Sequence, residues 1–130
     1  MNDAYRDIIG RTIGDKYHVK SIIGEGGMGT VFEAEHTGLG RSVAIKVLHP
    51  LQVKRPVAVK RFHQEARSAG AIGHPNICEV YDLGTLDDGS PYLVMERLVG
   101  ETLADRVSRE GGLPFNDVVD TMIEVLSALT

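Results

Sequence analysis

Polar and apolar residues alternate along the first half of the chain in short runs, and glycines punctuate the runs. Tyr17 to Ile23 is one run. Thr30 to Glu35 is a second, with Val31, Phe32 and Ala34 set between charges, and Arg41 to Leu48 is a third, rich in β-branched residues. Alternation at period two between turn residues predicts three strands. Pro50 and Pro56 bracket a linker. From Val57 to Gly70 the period changes: Phe62, Ala66 and Ala69 recur at helical spacing among Lys60, Arg61, Gln64 and Arg67, and Gly70, Gly73 and Pro75 close the helix. Ile77 to Leu83 and Tyr92 to Glu96 are two further strands, joined through the hairpin turn Asp87-Asp88-Gly89. After Gly100 the pattern is helical, with a short helix over Thr102 to Arg109 and a longer one from Pro114 to the last residue. Three strands, a helix, two strands and two helices predict an α+β fold: a five-stranded antiparallel sheet with one helix packed on it, followed by helices.

Composition narrows the function classes. The 130 residues suffice for one small domain, and 42% apolar with 25% charged residues describes a globular chain. A net charge of −4 leaves no basic footprint for nucleic acid. Cys78 is the single cysteine, so no disulfide can form within the chain, which fits a reducing, cytoplasmic setting. Met1 to Gly10 carries charges and no apolar core, so it is not expected to be a secretory signal. No apolar run approaches the roughly 18 residues of a membrane span, so no membrane contact is expected within these residues.

Candidate chemistry begins at Gly24-Glu25-Gly26-Gly27-Met28-Gly29-Thr30-Val31, a G-x-G-x-x-G-x-V pattern. Glycines let a backbone approach a phosphate chain closely, although a chain with 15 glycines can also produce an ordinary glycine-rich hairpin turn. The residues that follow discriminate among phosphate sites. A dinucleotide-binding fold needs a helix directly after the third glycine, whereas Thr30 to Glu35 alternates as a strand. The spacing G-x-x-x-x-G-K-[ST] is absent, so a P-loop is excluded.

In Val43-Ala44-Ile45-Lys46, alternation puts Ala44 and Lys46 on one face of the third strand. A small residue beside a lysine suits a nucleotide, the ring lying close to Ala44 while the ammonium reaches phosphate; a solvent-facing lysine on a sheet is the plainer reading. Glu65, three residues from Phe62 and four from Ala69, falls on the helix's apolar side. A carboxylate there requires a cation, for which Lys46 is the expected partner; the alternative is an exposed Glu65 paired with Arg61 one turn away.

These landmarks together resemble the protein kinase family, in detail its bacterial serine/threonine branch. Gly24-x-Gly26-x-x-Gly29-x-Val31 is similar to the family's glycine-rich loop, Val43-Ala44-Ile45-Lys46 to its phosphate-anchoring lysine, and Glu65 in Phe62-His63-Gln64-Glu65-Ala66 to its helix C glutamate. His74-Pro75-Asn76-Ile77 looks like the turn into the fourth strand, and Tyr92-Leu93-Val94-Met95-Glu96 with Gly100-Glu101-Thr102-Leu103 like the fifth strand, gatekeeper and hinge. The resemblance implies ATP and Mg2+ as cofactors and Lys46 and Glu65 as catalytic residues. It implies Gly24, Glu25, Gly26, Gly27, Met28 and Gly29 as a lid over the phosphates. Ile23, Val31 and Ala44 would sandwich the adenine, Met95 would be the gatekeeper, and backbone groups of Glu96 and Leu98 would bond the base. It divides the chain into an N-terminal extension (1–16), a kinase N-lobe with hinge (17–98) and the start of an incomplete C-lobe (99–130).

Two family motifs are missing. Neither His-Arg-Asp with its Asn nor Asp-Phe-Gly occurs, and Asp105, Asp117 and Asp120 lie in helices without them. The Mg2+ ligands are therefore expected outside this chain, and these residues alone are expected to be inactive. The last helix carries an apolar stripe of Val118, Val119, Met122, Ile123, Leu126 and Leu129, through which association is expected. The alternative is a non-catalytic nucleotide-binding or kinase-docking module. Five scattered histidines (His18, His36, His49, His63, His74) lack metal-ligand spacing.

Overall fold

A computed structural model describes residues 7–129. Ten elements follow in order: β1 (Thr12–Ile13), β2 (Tyr17–Glu25), β3 (Gly29–His36), β4 (Arg41–Leu48), α1 (Pro50–Val53), α2 (Pro56–Ile72), β5 (Val80–Thr85), β6 (Pro91–Glu96), α3 (Leu103–Glu110) and α4 (Phe115–Leu129). The strands form one antiparallel sheet in the order β1-β2-β3-β4-β6-β5.

The sheet has one strand more than the sequence pattern predicted. β1 is only two residues long, too short for period-two alternation to register, and Gly14 and Asp15 at positive φ turn it back onto β2. Ile8 and Ile13, in the stretch expected as an extension, are buried against the sheet. The linker between Pro50 and Pro56 likewise holds a helical turn, each proline standing at a first helical position where its missing N–H costs nothing. β5, the strand expected from Ile77, begins at Val80, because residues 77–79 follow a turn in which Asn76 N donates to His74 Nδ1 (3.0 Å) and Ile77 N to His74 O (3.0 Å).

Both faces of the sheet are covered, as alternation along β4 requires. Val43, Ile45 and Val47 point to one side with Val19, Phe32, Ala34, Tyr92 and Val94, closed by Ile8 and Ile13. Leu48 and Leu93 point to the other, where Phe62 and Ala66 of α2 pack on them. Gly84 and Gly14 are both held small by one ring: a Cβ at either would lie 2.5 Å or 2.7 Å from the Tyr92 side chain. In contrast, α3 and α4 bury no residue. An Arg106–Asp117 pair (2.8 Å) joins them, and Asn76 Nδ2 donates to Glu124 O (2.9 Å), linking α4 to the approach to β5.

Candidate functional site

Strand register assembles the predicted site across the sheet. Gly24 on β2, Val31 on β3 and Lys46 on β4 are successive cross-strand partners, and Lys46 in turn faces Leu93 on β6. Ala44, two residues along, partners Glu33 and Met95. Directly opposed residues of an antiparallel pair share a face. Gly24, Val31, Ala44, Lys46 and Met95 therefore stand on one side of the sheet, the side that carries α2. Ala44 is buried, while Val31, Lys46 and Met95 are half-buried. Ile23 falls in a register irregularity between Ile22 and Gly24, and it is 40% exposed.

The four loop glycines do different jobs. None has positive φ. A Cβ at Gly24 or Gly27 would meet nothing within 4 Å, so the fold itself does not demand their smallness. Gly29 is the reverse: a Cβ there would lie 2.2 Å from the Val47 carbonyl oxygen, because β3 passes β4 at close range. The sequence offers all of them around a phosphate chain, yet Gly29 is required by strand packing. Gly26 N donates to Gly29 O (3.0 Å) and closes the tip, leaving Glu25 and Met28 exposed.

Support for the tip comes from residues outside any periodic pattern. His49 N donates to Met28 O (2.8 Å), and Gln52 Nε2 reaches Gly27 O at 3.5 Å. The His49 side chain caps α1 by accepting from Leu51 N (3.3 Å). His36 does the same for the β3–β4 turn, where Leu39 N donates to Nδ1 (3.1 Å). Three of the five histidines thus serve turns. Among the described residues no group of three His, Cys, Asp or Glu could hold a metal ion.

The Lys46–Glu65 pair is not formed. Glu65 is exposed, and among the described residues Lys46 has no carboxylate at ion-pair distance. Glu65 is therefore not on the core-facing side, contrary to the spacing argument; it is exposed, as in the alternative. The helix buries only the ridge Ala58, Phe62 and Ala66, spaced by four, and Glu65 lies at its edge. Among the described residues Arg61, its alternative partner, forms no ion pair with it either.

At the hinge, Glu96 N donates to Glu79 O (2.8 Å), so its N–H is committed and its carbonyl carries any contact to a base. That carbonyl accepts a weak bond from Cys78 Sγ (3.7 Å). Burial, and secondly the Glu96 charge, push the Cys78 thiol upward, away from the reactive thiolate. Leu98 is exposed, and its carbonyl accepts from the Arg97 guanidinium.

A glycine loop between two strands, a lysine on the third and a connecting segment after the last are the arrangement of a protein kinase N-lobe. The protein kinase domain model matches residues 17–130, and the chain belongs to that family. Its relatives include the serine/threonine-protein kinase pkn3 of Myxococcus xanthus, 40% identical over 95% of this chain and 23% of that protein. PrkC of Bacillus subtilis is 38% identical over 94% of this chain and 19% of that protein. The crystal structure of the Mycobacterium tuberculosis PknI kinase domain superposes with a TM-score of 0.79 at 30% identity, covering 92% of this chain and 48% of that one. The chain thus spans about a fifth of these curated relatives.

Proposed function

We propose that these residues form the ATP-binding part of a kinase that transfers the γ-phosphate of ATP to protein serine or threonine in the cytoplasm. The observation that carries this reading is the row Gly24–Val31–Lys46, with open space over Gly24 and Gly27 and with Ala44 and Met95 alongside. Those glycines are a cradle that any side chain would fill. In this reading Lys46 holds the α- and β-phosphates, and Ile23, Val31 and Ala44 enclose the adenine. The Glu96 carbonyl and Leu98 backbone bond its edge, and Glu65 reaches Lys46 once α2 turns its exposed edge inward. ATP supplies the phosphoryl group, and Mg2+ is held by residues outside this chain.

The chain by itself lacks the catalytic base and metal ligands, and the loss of a base alone forfeits about 10²–10⁴ in rate. No phosphate transfer to a basic protein substrate is expected. Binding is tested by titrating a fluorescent ATP analogue into the chain and into Lys46→Met. The reading requires saturable binding that Lys46→Met weakens by about tenfold, one charge-assisted contact. Equal affinity removes Lys46 from the phosphate site.

A further inference from the structure

Two carbonyl groups at the tip of the glycine loop are held by one short element. His49 N donates to Met28 O at 2.8 Å, and Gln52 Nε2 reaches Gly27 O at 3.5 Å. Gln52 N in turn donates to His49 O (2.8 Å), so a single turn carries both donors. That turn is anchored, because Val53 packs on the cluster of Leu48, Phe62, Ala66 and Leu93 that joins α2 to the sheet. The backbone at His49 is extended, with φ −60° and ψ 141°, as Pro50 behind it requires.

Holding a carbonyl also aims the N–H of the same peptide unit. In a trans peptide the C=O and N–H point in opposite directions. Drawing Gly27 O and Met28 O toward α1 therefore turns the N–H groups of Met28 and Gly29 away from it. Gly29 O accepts from Gly26 N across the tip (3.0 Å), and an extended residue presents its N–H on the same edge as its C=O. The edge turned away from α1 is thus the inside of the loop. Among the described residues the N–H groups of Gly27 and Met28 have no partner. Successive unpaired N–H groups in a turn suit an anion, and the open space over Gly24 and Gly27 leaves room for one.

We propose that α1 is a strap that positions the glycine loop for a phosphate chain, with the Gln52 side chain and the His49 N–H as its positioning groups. The proposal rests on the ATP reading and adds to it the residues that aim the loop. The strap acts on phosphates through the loop tip, whereas the adenine, enclosed by Ile23, Val31 and Ala44 in that reading, does not meet it. Its loss is therefore felt by ATP and not by adenosine, a split that general damage to the fold would not produce. His49→Pro is the direct probe, because the φ of −60° is already that of proline and the ring removes the N–H with little change of backbone. His49→Ala is its comparator: it also loses the imidazole that accepts from Leu51 N, but it keeps the N–H.

The test titrates fluorescent analogues of ATP and of adenosine into the 130-residue chain and its variants. The proposal expects His49→Pro to bind the ATP analogue about three- to tenfold more weakly than His49→Ala does, and Gln52→Ala to fall by the same factor below the parent, one hydrogen bond being lost in each. The adenosine analogue should change less than about twofold throughout, as should both ligands with Leu51→Ala, which alters an exposed side chain of the same turn. A second measurement needs no nucleotide. In 15N relaxation the order parameters of the Gly27 and Met28 amides should fall from about 0.85 to below about 0.6 in His49→Pro/Gln52→Ala, with Gly38 and Gly40 of the β3–β4 turn unchanged. The proposal is overturned if removing either donor leaves ATP affinity unchanged, if ATP and adenosine weaken together, or if the tip amides stay rigid in the double variant. A parent chain that binds neither analogue overturns the ATP reading instead, and the order parameters still decide whether α1 holds the tip.

Discussion

At the residue scale the loop glycines separate two uses of the same amino acid. Gly29→Ala drives a methyl into the Val47 carbonyl, and the backbone must yield. It is expected to cost about 1–3 kcal/mol, as overpacking does, seen as a lower midpoint in urea. Gly24→Ala meets open space and should leave stability within about 0.5 kcal/mol while weakening ATP binding. A stable Gly29→Ala chain would show that β3 and β4 are not held at this distance. Tyr17 gives a second residue-scale expectation. Its hydroxyl donates to Asp82 Oδ2 (3.1 Å), and burial, then Asp82, raise its pKa from the ordinary 10 to about 12. The folded state keeps that proton where the unfolded chain has lost it. The resulting stability is complete below pH 10 and is lost as pH rises toward 12. Unfolding midpoints from pH 9 to 12 should fall for the parent chain and fall less for Tyr17→Phe; parallel curves would remove the Tyr17–Asp82 bond from the account.

At the element scale, what could be read in the sequence follows the length and regularity of each segment. β2, β3, β4 and β6 are long enough for alternation to register, and α2 shows its buried ridge at positions 58, 62 and 66. The two-residue β1 and the four-residue α1 have no period to detect, and only tertiary contact makes them visible. Spacing was a sound guide for Ala44 and Lys46, which share a face of β4, and strand register brings Gly24, Val31 and Met95 to that face. Spacing failed at Glu65, because three or four residues from apolar neighbours places a side chain beside a ridge as easily as on it. Gln52, in the linker, and His49, just before it, hold the loop tip and carry no sequence signal. α2 also starts against its own dipole. Its N-cap is Arg55, with no side-chain cap and no acid in the first turn. Arg55→Asp supplies an acceptor for the free N–H groups and a favourable charge, and is expected to add about 1 kcal/mol. Thermal unfolding should rise by a few degrees. No change would mean that α2 is held by Phe62 and Ala66 alone.

At the scale of the whole molecule, the chain divides into a part that has a core and a part that has none. Every buried residue among those described precedes Met95, and α2 and the N-terminal segment close the two faces of the sheet. α4 presents Val118, Met122, Ile123, Leu126 and Leu129 at 42%, 47%, 59%, 55% and 75% exposure, with Phe115 at 80%. Six such side chains, about 60% exposed on average, still offer roughly 5–11 kcal/mol of burial at about 1.5–3 kcal/mol for full burial of each, comparable to the roughly 5–15 kcal/mol of a whole domain. The fold of these residues leaves that burial uncollected, and the hydrogen bond from the Asn76 side chain to the Glu124 carbonyl cannot replace it. The isolated chain is therefore expected to associate through α4, or to lose the helix. Met122→Glu/Ile123→Glu should abolish concentration-dependent elution in size exclusion and leave the unfolding midpoint of the sheet unchanged, because α4 contributes nothing to either core cluster. A parent chain that elutes as a monomer with α4 amides protected from exchange would mean that the helix has found cover within the chain, and the division into a cored and an uncored part would fall with it.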